Sequence, residues 1–128
     1  MKRIAAYLGL AIVFAWFFLG GISHFTSPEF FLAIMPPWLP WHLPLVYISG
    51  VLEVAFALLL VGPRTRELAG NLLILLTLAV TPVNVHMFLN PDQFPDVPPA
   101  FLSLRLVVQV LLLLLIWWST RRARWASA

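Results

Sequence analysis

Cysteine is absent from the 128 residues. That removes disulfides, thiolate metal sites and thiol–disulfide exchange by this chain, and with them the chemistry of a four-helix thiol oxidase. Charge is scarce as well: Asp, Glu, Lys and Arg make up 10% of the chain against 62% hydrophobic residues, and the mean hydropathy is +0.95. So few polar side chains cannot coat a soluble domain of this length, which leaves lipid as the solvent. A Gly-rich phosphate loop, a Ser-His-Asp grouping, a nucleophile elbow and a strong internal repeat are all missing. Two stretches, 26–44 and 90–100, contain no Lys or Arg.

What is present is hydrocarbon in long runs. A span needs about 20 apolar residues to cross about 30 Å of bilayer core. Four runs qualify, at roughly 4–25, 45–62, 68–89 and 101–118. The expected fold is all-α: one four-span integral membrane domain over 1–128, a four-helix bundle with a short interfacial helix and a Pro-rich lid between spans one and two. The opening MKRIAAYLGLAIVFAWFF has a basic start like a signal peptide, but its apolar run is longer than the usual 7–15 or so residues and no A-x-A-like cleavage site follows. It is expected to be a retained span. The link 63–67 is so short that spans two and three must be antiparallel neighbours.

The charges report topology. Of the eight Lys and Arg, Lys2 and Arg3 precede span one, Arg64 and Arg66 join spans two and three, and Arg121, Arg122 and Arg124 follow span four; only Arg105 lies inside a span. With none in the other two connectors, both termini are expected to be cytoplasmic in a multi-pass protein of the cell membrane. The net charge of +3 is then a topology signal and not the footprint of nucleic acid. Trp117, Trp118 and Trp125 at one end, and Trp38 and Trp41 at the other, suit headgroup belts.

The first outer connector is greasy and broken by proline. Ser27-Pro28-Glu29 has the grammar of a helix start, and PEFFLAIM gives about two turns before Pro36-Pro37 stops it. WLPWHLP then returns the chain to span two. Residues Pro28, Glu29, Pro36, Pro37, Trp38, Pro40 and His42 are expected to form a lid packed on the bundle, the plain alternative being a tether lying on lipid. NPDQFPDVPPA, the second outer connector, reads as a stiff polar loop.

The inner halves of the spans are almost purely aliphatic, with some Phe, and the outer halves are not. His24, Ser49, Glu53, Asn84, His86, Arg105 and Gln109 are the candidate polar pocket. At 1.5 Å per residue, Glu53 lies about 12 Å below the outer end of its span and Gln109 at a similar depth. Glu53 and Arg105 are the only charges inside spans, so they are expected to pair or to share one network, as a register-fixing tie or as a binding site. Pro82 should kink span three and free a carbonyl near Leu78, with Thr81 and Asn84 placed to satisfy local polar groups. Small residues at Ala5/Gly9 and Ala11/Ala15 would permit close helix approach. His24, His42, His86 and Glu29 share the outer side, but no pair has i, i+4 spacing and no ligand motif is present, so no metal site is assigned. No cofactor ligand is evident, haem included.

GGISHF, SPEFF, IMPPWLPWH and VYISGVLEVAFALLL, followed by PRTRELAG and TPVNVHM, resemble the DoxX-like membrane proteins over roughly residues 17–90. The resemblance implies a small four-helix membrane protein associated with redox partners. It rests on His24, Phe25, Pro28, Pro36, Pro37, Pro40, Ser49, Gly50, Glu53, Pro63, Thr65, Arg66, Pro82 and Asn84. The activity it suggests is that of an accessory, quinone- or lipid-interacting subunit of a membrane redox system, not an enzyme alone, with an outer-leaflet polar pocket. Quinone is the only cofactor it brings in. Partners would be the bilayer, membrane redox proteins or further copies of the chain, and not nucleic acid. The alternatives are a scaffold or chaperone for membrane-protein assembly and, less favoured by the aliphatic inner halves, a small-solute transporter.

Overall fold

Every three or four residues along the first helix a side chain turns inward: Ala6, Leu10, Val13, Phe17, Gly21 and His24 are buried while the residues between them are largely exposed. That is the stripe of a helix buried on one side only. The computed structural model describes residues 2–95 and 97–121, and its order is α1 (Lys2–Thr26), α2 (Pro28–Ala33), α3 (His42–Val61), α4 (Arg66–Leu89), a 3-10 turn (Pro91–Gln93) and α5 (Pro99–Thr120). Arg122, Arg124 and Trp125, read above as topology and belt residues, lie outside the described residues. The four long helices are each long and apolar enough to cross a membrane. The protein is an all-α, four-span, multi-pass membrane bundle whose outward residues, such as Ile12, Leu58, Leu75 and Leu114, meet lipid.

Neighbours around the ring run α1–α3–α4–α5 and back to α1, so α3 and α5 stand diagonally. Leu10, Val13 and Phe17 meet Ala57, Leu60, Ala69, Leu73, Leu112 and Ile116 in a continuous core. This core fills the half of the bundle in which α1 begins and α5 ends. A smaller cluster, Ile34, Met87, Phe94 and Leu102, closes the opposite end, here called the α2 end.

Helix limits differ from the sequence reading at several places, each for a local reason. α3 starts at His42 because Pro44 falls in its first turn, where a missing N–H costs nothing. α5 starts at Pro99, with proline at its first position. α2 stops at Ala33, short of PEFFLAIM, because Pro36 disfavours helical backbone at Met35 before it. Ser27 caps α2 without a side-chain hydrogen bond. α3 does stop at Gly62, but with φ −79° and ψ 124° the glycine is extended, and its left-handed freedom is not used. α4 runs unbroken through Pro82. Of the small residues expected to pack, Gly9 meets Leu115 and Trp118 of α5, while Ala5, Ala11 and Ala15 are exposed.

The α3–α4 reversal carries its own caps. Thr65 Oγ1 donates to Leu59 O (2.7 Å), Arg66 Nε to Leu60 O (2.9 Å) and Arg66 Nη2 to Val61 O (3.2 Å), satisfying carbonyls that the end of α3 would otherwise orphan. Arg66 is buried, so one of the residues read only as a topology charge is also a structural cap. Arg66→Met is expected to lower stability by about 2 kcal/mol, the scale of hydrogen bonds from a charged donor. A fall in the denaturation midpoint of the purified protein in detergent is the check.

Candidate functional site

The α2 end is where polar side chains interrupt the core. In α1 the buried stripe changes from Phe17 to Gly21 and His24, and in α3 buried Ala57 gives way to half-buried Glu53 and buried Gly50. The two glycines let α1 and α3 touch. A Cβ on Gly21 would fall 2.9 Å from Gly50 O and 2.7 Å from Val54 Cγ2, and one on Gly50 would fall 2.6 Å from His24 Cβ. Neither position has room for any side chain.

That approach brings His24 to Glu53, with Nε2 2.8 Å from Oε2 and side-chain exposures of only 11% and 16%. Nδ1 of His24 lies 2.7 Å from Val46 O, so this nitrogen carries a proton and donates it. Ser49 Oγ sits 3.1 Å from the same nitrogen and donates its own hydrogen to Val46 O at 3.0 Å. Oε2 of Glu53 is buried, and no donor is aligned on it as a hydrogen bond among the described residues. Its contact with His24 is close but off-line, an ion-pair contact more than a directed bond. With Nδ1–H committed to the carbonyl, Nε2 is the imidazole atom that faces the carboxylate, and the two ionisable groups meet there. Phe31 of α2 lies over the imidazole with ring centroids 3.9 Å apart, so α2 closes the top of the pair.

Glu53 takes His24, and not Arg105, as its charged partner. The physical reason is the ring order: Arg105 stands on α5, diagonal to α3, while His24 is on the adjacent α1. Arg105 Nη1 instead lies 3.8 Å from Met87 Sδ, and no ion pair reaches it among the described residues.

The other predicted residues form two further groups. Asn84 Nδ2 donates to Gln109 Oε1, and Gln109 Nε2 donates to Thr81 Oγ1, whose hydroxyl donates to Thr77 O at 2.9 Å. This chain ties α4 to α5 beside Pro82. Asn84 therefore reaches across the bundle and does not serve the local gap that proline leaves. Gln109→Leu removes both interhelical bonds and is expected to cost about 1–2 kcal/mol, since such bonds in bilayers average well under 1 kcal/mol each but two polar partners are stranded. Thermal midpoints in lipid nanodiscs would show it. His86 belongs to the third group. It accepts a hydrogen bond at Nδ1 from Trp38 Nε1 (3.2 Å), and its Nε2 lies 2.9 Å from Gln93 Oε1.

Of the residues expected to form a lid, Pro36 is buried, Pro28 and His42 are half-buried, and Glu29, Pro37, Trp38 and Pro40 are exposed. Ile34 is buried, His42 Nε2 bonds Pro36 O at 2.9 Å, and Trp38 reaches His86. Trp41, 75% exposed, takes left-handed backbone (φ 55°) to turn the chain into α3. Among the described residues no group of three His, Cys, Asp or Glu is placed to hold a metal ion.

The sequence reading missed Gly21 and named Gly50 only as part of the resemblance. Gly21 precedes His24 by the same three residues that separate Gly50 from Glu53. One helix turn thus sets each polar residue beside a gap in its own helix, and that repeated spacing was the available signal.

A family model described as "Domain of unknown function (DUF8561)" matches residues 10–121. The chain belongs to this family. The match takes in all of the site just described, from Gly21 on α1 to Gln109 on α5, together with both connectors of the α2 end in this DUF8561 chain. No curated protein and no solved structure matches the chain.

Proposed function

We propose that this chain is a quinone- or lipid-interacting accessory subunit of a membrane redox system, holding its ligand at the α2 end. The observation that carries the reading is the His24–Glu53 pair: two ionisable groups 2.8 Å apart inside the spans, largely shielded and covered by Phe31. Ionisable groups inside spans are costly and are functional candidates by default. A quinone site needs what this pair offers, a polar partner for the ring oxygens and a group that can hold or release a proton where water is excluded. The likeness of residues 17–90 to DoxX-like proteins supports the same class. The electron donor is then a partner protein of the same membrane.

The asymmetry of Lys and Arg supports cytoplasmic termini, which puts the α2 end in the outer leaflet of the cell membrane. A solute pathway is disfavoured by the close apolar packing of Leu10, Val13, Leu60, Leu73 and Ile116 in the other half.

Mass spectrometry of the protein extracted in native lipid tests the reading. Bound quinone is expected, and membranes without the chain are expected to lose part of their quinone-linked oxidation. Protein free of quinone, from membranes whose oxidation does not depend on it, sinks the proposal. Glu53→Gln separates a tie from a working group: loss of activity in a protein that still folds favours the working group.

A further inference from the structure

α5 turns Leu102, Arg105, Gln109, Leu112 and Ile116 toward the bundle, one residue every three or four. Leu102, Leu112 and Ile116 are buried among apolar side chains, and Gln109 is bonded to Asn84 and Thr81. Arg105 is not matched in this way. A guanidinium carries five N–H donors and keeps its charge at any working pH. The contact described for it is a single thioether, Met87 Sδ at 3.8 Å, which is a weak acceptor. No described carboxylate lies within ion-pair distance. Arg105 is six residues into α5, about 9 Å from its start, and so lies within the span. An arginine on the lipid face could lay its head out at the boundary; this one is half-buried and turned inward.

The way α1 meets α5 is a second observation. Gly9 and Gly20 are eleven residues apart, about three turns, and share one face of α1. At Gly9 an added Cβ would meet Leu115, Trp118 and Ser119 of α5 at 3.1, 3.3 and 3.4 Å. At Gly20 it would meet no described α5 atom within 4 Å, only Glu53 Oε1 of α3 at 3.7 Å. Trp16, between the two glycines on that face, is exposed. Along α5 the line Ser119, Leu115, Val108, Leu104, Phe101 passes from buried to exposed in the same direction. The two helices therefore touch where α1 begins and part toward the α2 end. Eleven residues back along α5 from the Leu115–Ser119 contact is 104–108, so Arg105 lies at the level of the parting.

A cation inside a span calls for an anion, and the exposed Trp16 and Leu104 put lipid beside this one. We infer that Arg105 holds the oxyanion head, phosphate or carboxylate, of a membrane lipid whose chain lies where α1 and α5 part. Glu53 Oε1 beside Gly20 repels an oxyanion, so the head belongs on α5 and only hydrocarbon meets α1. This goes beyond the quinone reading: Arg105 has no described contact with His24 or Glu53, and either proposal can fail without the other.

The test uses the full chain in uncharged, phospholipid-free detergent, with dodecyl phosphate, dodecanoate, dodecanol and inorganic phosphate as probes and the thermal midpoint as readout. The two chained oxyanions are expected to bind about tenfold tighter than dodecanol, the order of a charge-assisted hydrogen bond, and inorganic phosphate to give no protection. Arg105→Met is expected to lose that advantage, and Arg105→Lys, which keeps the charge without the fork, to retain part of it. Arg64→Met, an exposed arginine at the other end, is expected to retain all of it. The better head names the source, a phospholipid for phosphate or a fatty acid for carboxylate, and either supports the inference. Equal protection by dodecanol, equal protection by inorganic phosphate, or an advantage that survives in Arg105→Met overturns it. So does a lower midpoint of Arg105→Met before any probe is added, which would mean that the chain supplies its own anion, with Asp96, outside the described residues, the first candidate.

Discussion

His24→Leu is expected to destabilise the protein by about 4 kcal/mol, the cost of stranding one member of a buried ion pair. Glu53 would keep its place on α3, with Oε2 still buried, and would lose the one ion-pair partner it has among the described residues. Neutral or charged, it would then face hydrocarbon with an unmet polar atom. Glu53→Leu is expected to cost less, because His24 Nδ1 keeps its bond to Val46 O and Ser49 remains beside it. The double variant His24→Leu/Glu53→Leu is expected to recover most of the loss, since two apolar side chains can fill the space at little cost in a bilayer. Reversible unfolding of all four proteins in mixed detergent gives the cycle. Single losses that simply add would mean that the pair is not coupled and that the 2.8 Å contact carries no stability.

Gly50→Val is expected to cost about 3 kcal/mol or more, the upper end for forcing volume into a packed contact. The first added carbon already meets His24 Cβ at 2.6 Å and Gly21 O at 3.0 Å, and neither is the mobile tip of a side chain. α1 and α3 would have to move apart, taking His24 away from Glu53. Gly20→Ala provides the comparison one residue from the other glycine of this contact. Its Cβ finds Glu53 Oε1 at 3.7 Å, so its effect on stability is expected to stay within about 0.5 kcal/mol. Thermal midpoints and the yield of monodisperse protein measure both. A Gly50→Val protein as stable as the parent would show that the helices tolerate wider spacing and that the polar pair does not depend on the close crossing.

Helices and their inward stripes were legible because bilayer burial and helical period are both written in residue type: Leu10, Val13 and Phe17 announce one face of α1 with no help from the rest of the chain. The polar residues were legible too, since Glu53 and Arg105 stand out against hydrocarbon. Their pairing was not. Depth follows from counting residues at a fixed rise, but the order of helices around the ring does not, and α5 stands diagonal to α3. Charge sign suggested Arg105 as the partner, whereas adjacency made it His24, an aromatic base that hydropathy alone treats as a span-end residue. Gln109 and Asn84 show the same limit in milder form. Each was identified as a polar group at the right level, and only the packing of α4 on α5 joined them. Arg66 was visible as a charge, but its service to Leu60 O and Val61 O depends on the path of the four-residue turn between α3 and α4.

That turn also sets an order of assembly. The bonds made by Thr65 and Arg66 span five or six residues, whereas His24 reaches Val46 across 22, Asn84 reaches Gln109 across 25 and Arg121 reaches Asn71 across 50. Contacts this local close long before the distant ones can. The α3–α4 hairpin can therefore enter the bilayer as a finished unit while α5 is still being synthesised. The last helix then arrives at a surface already formed, and its seating on Asn84 and Asn71 becomes the step that commits the bundle.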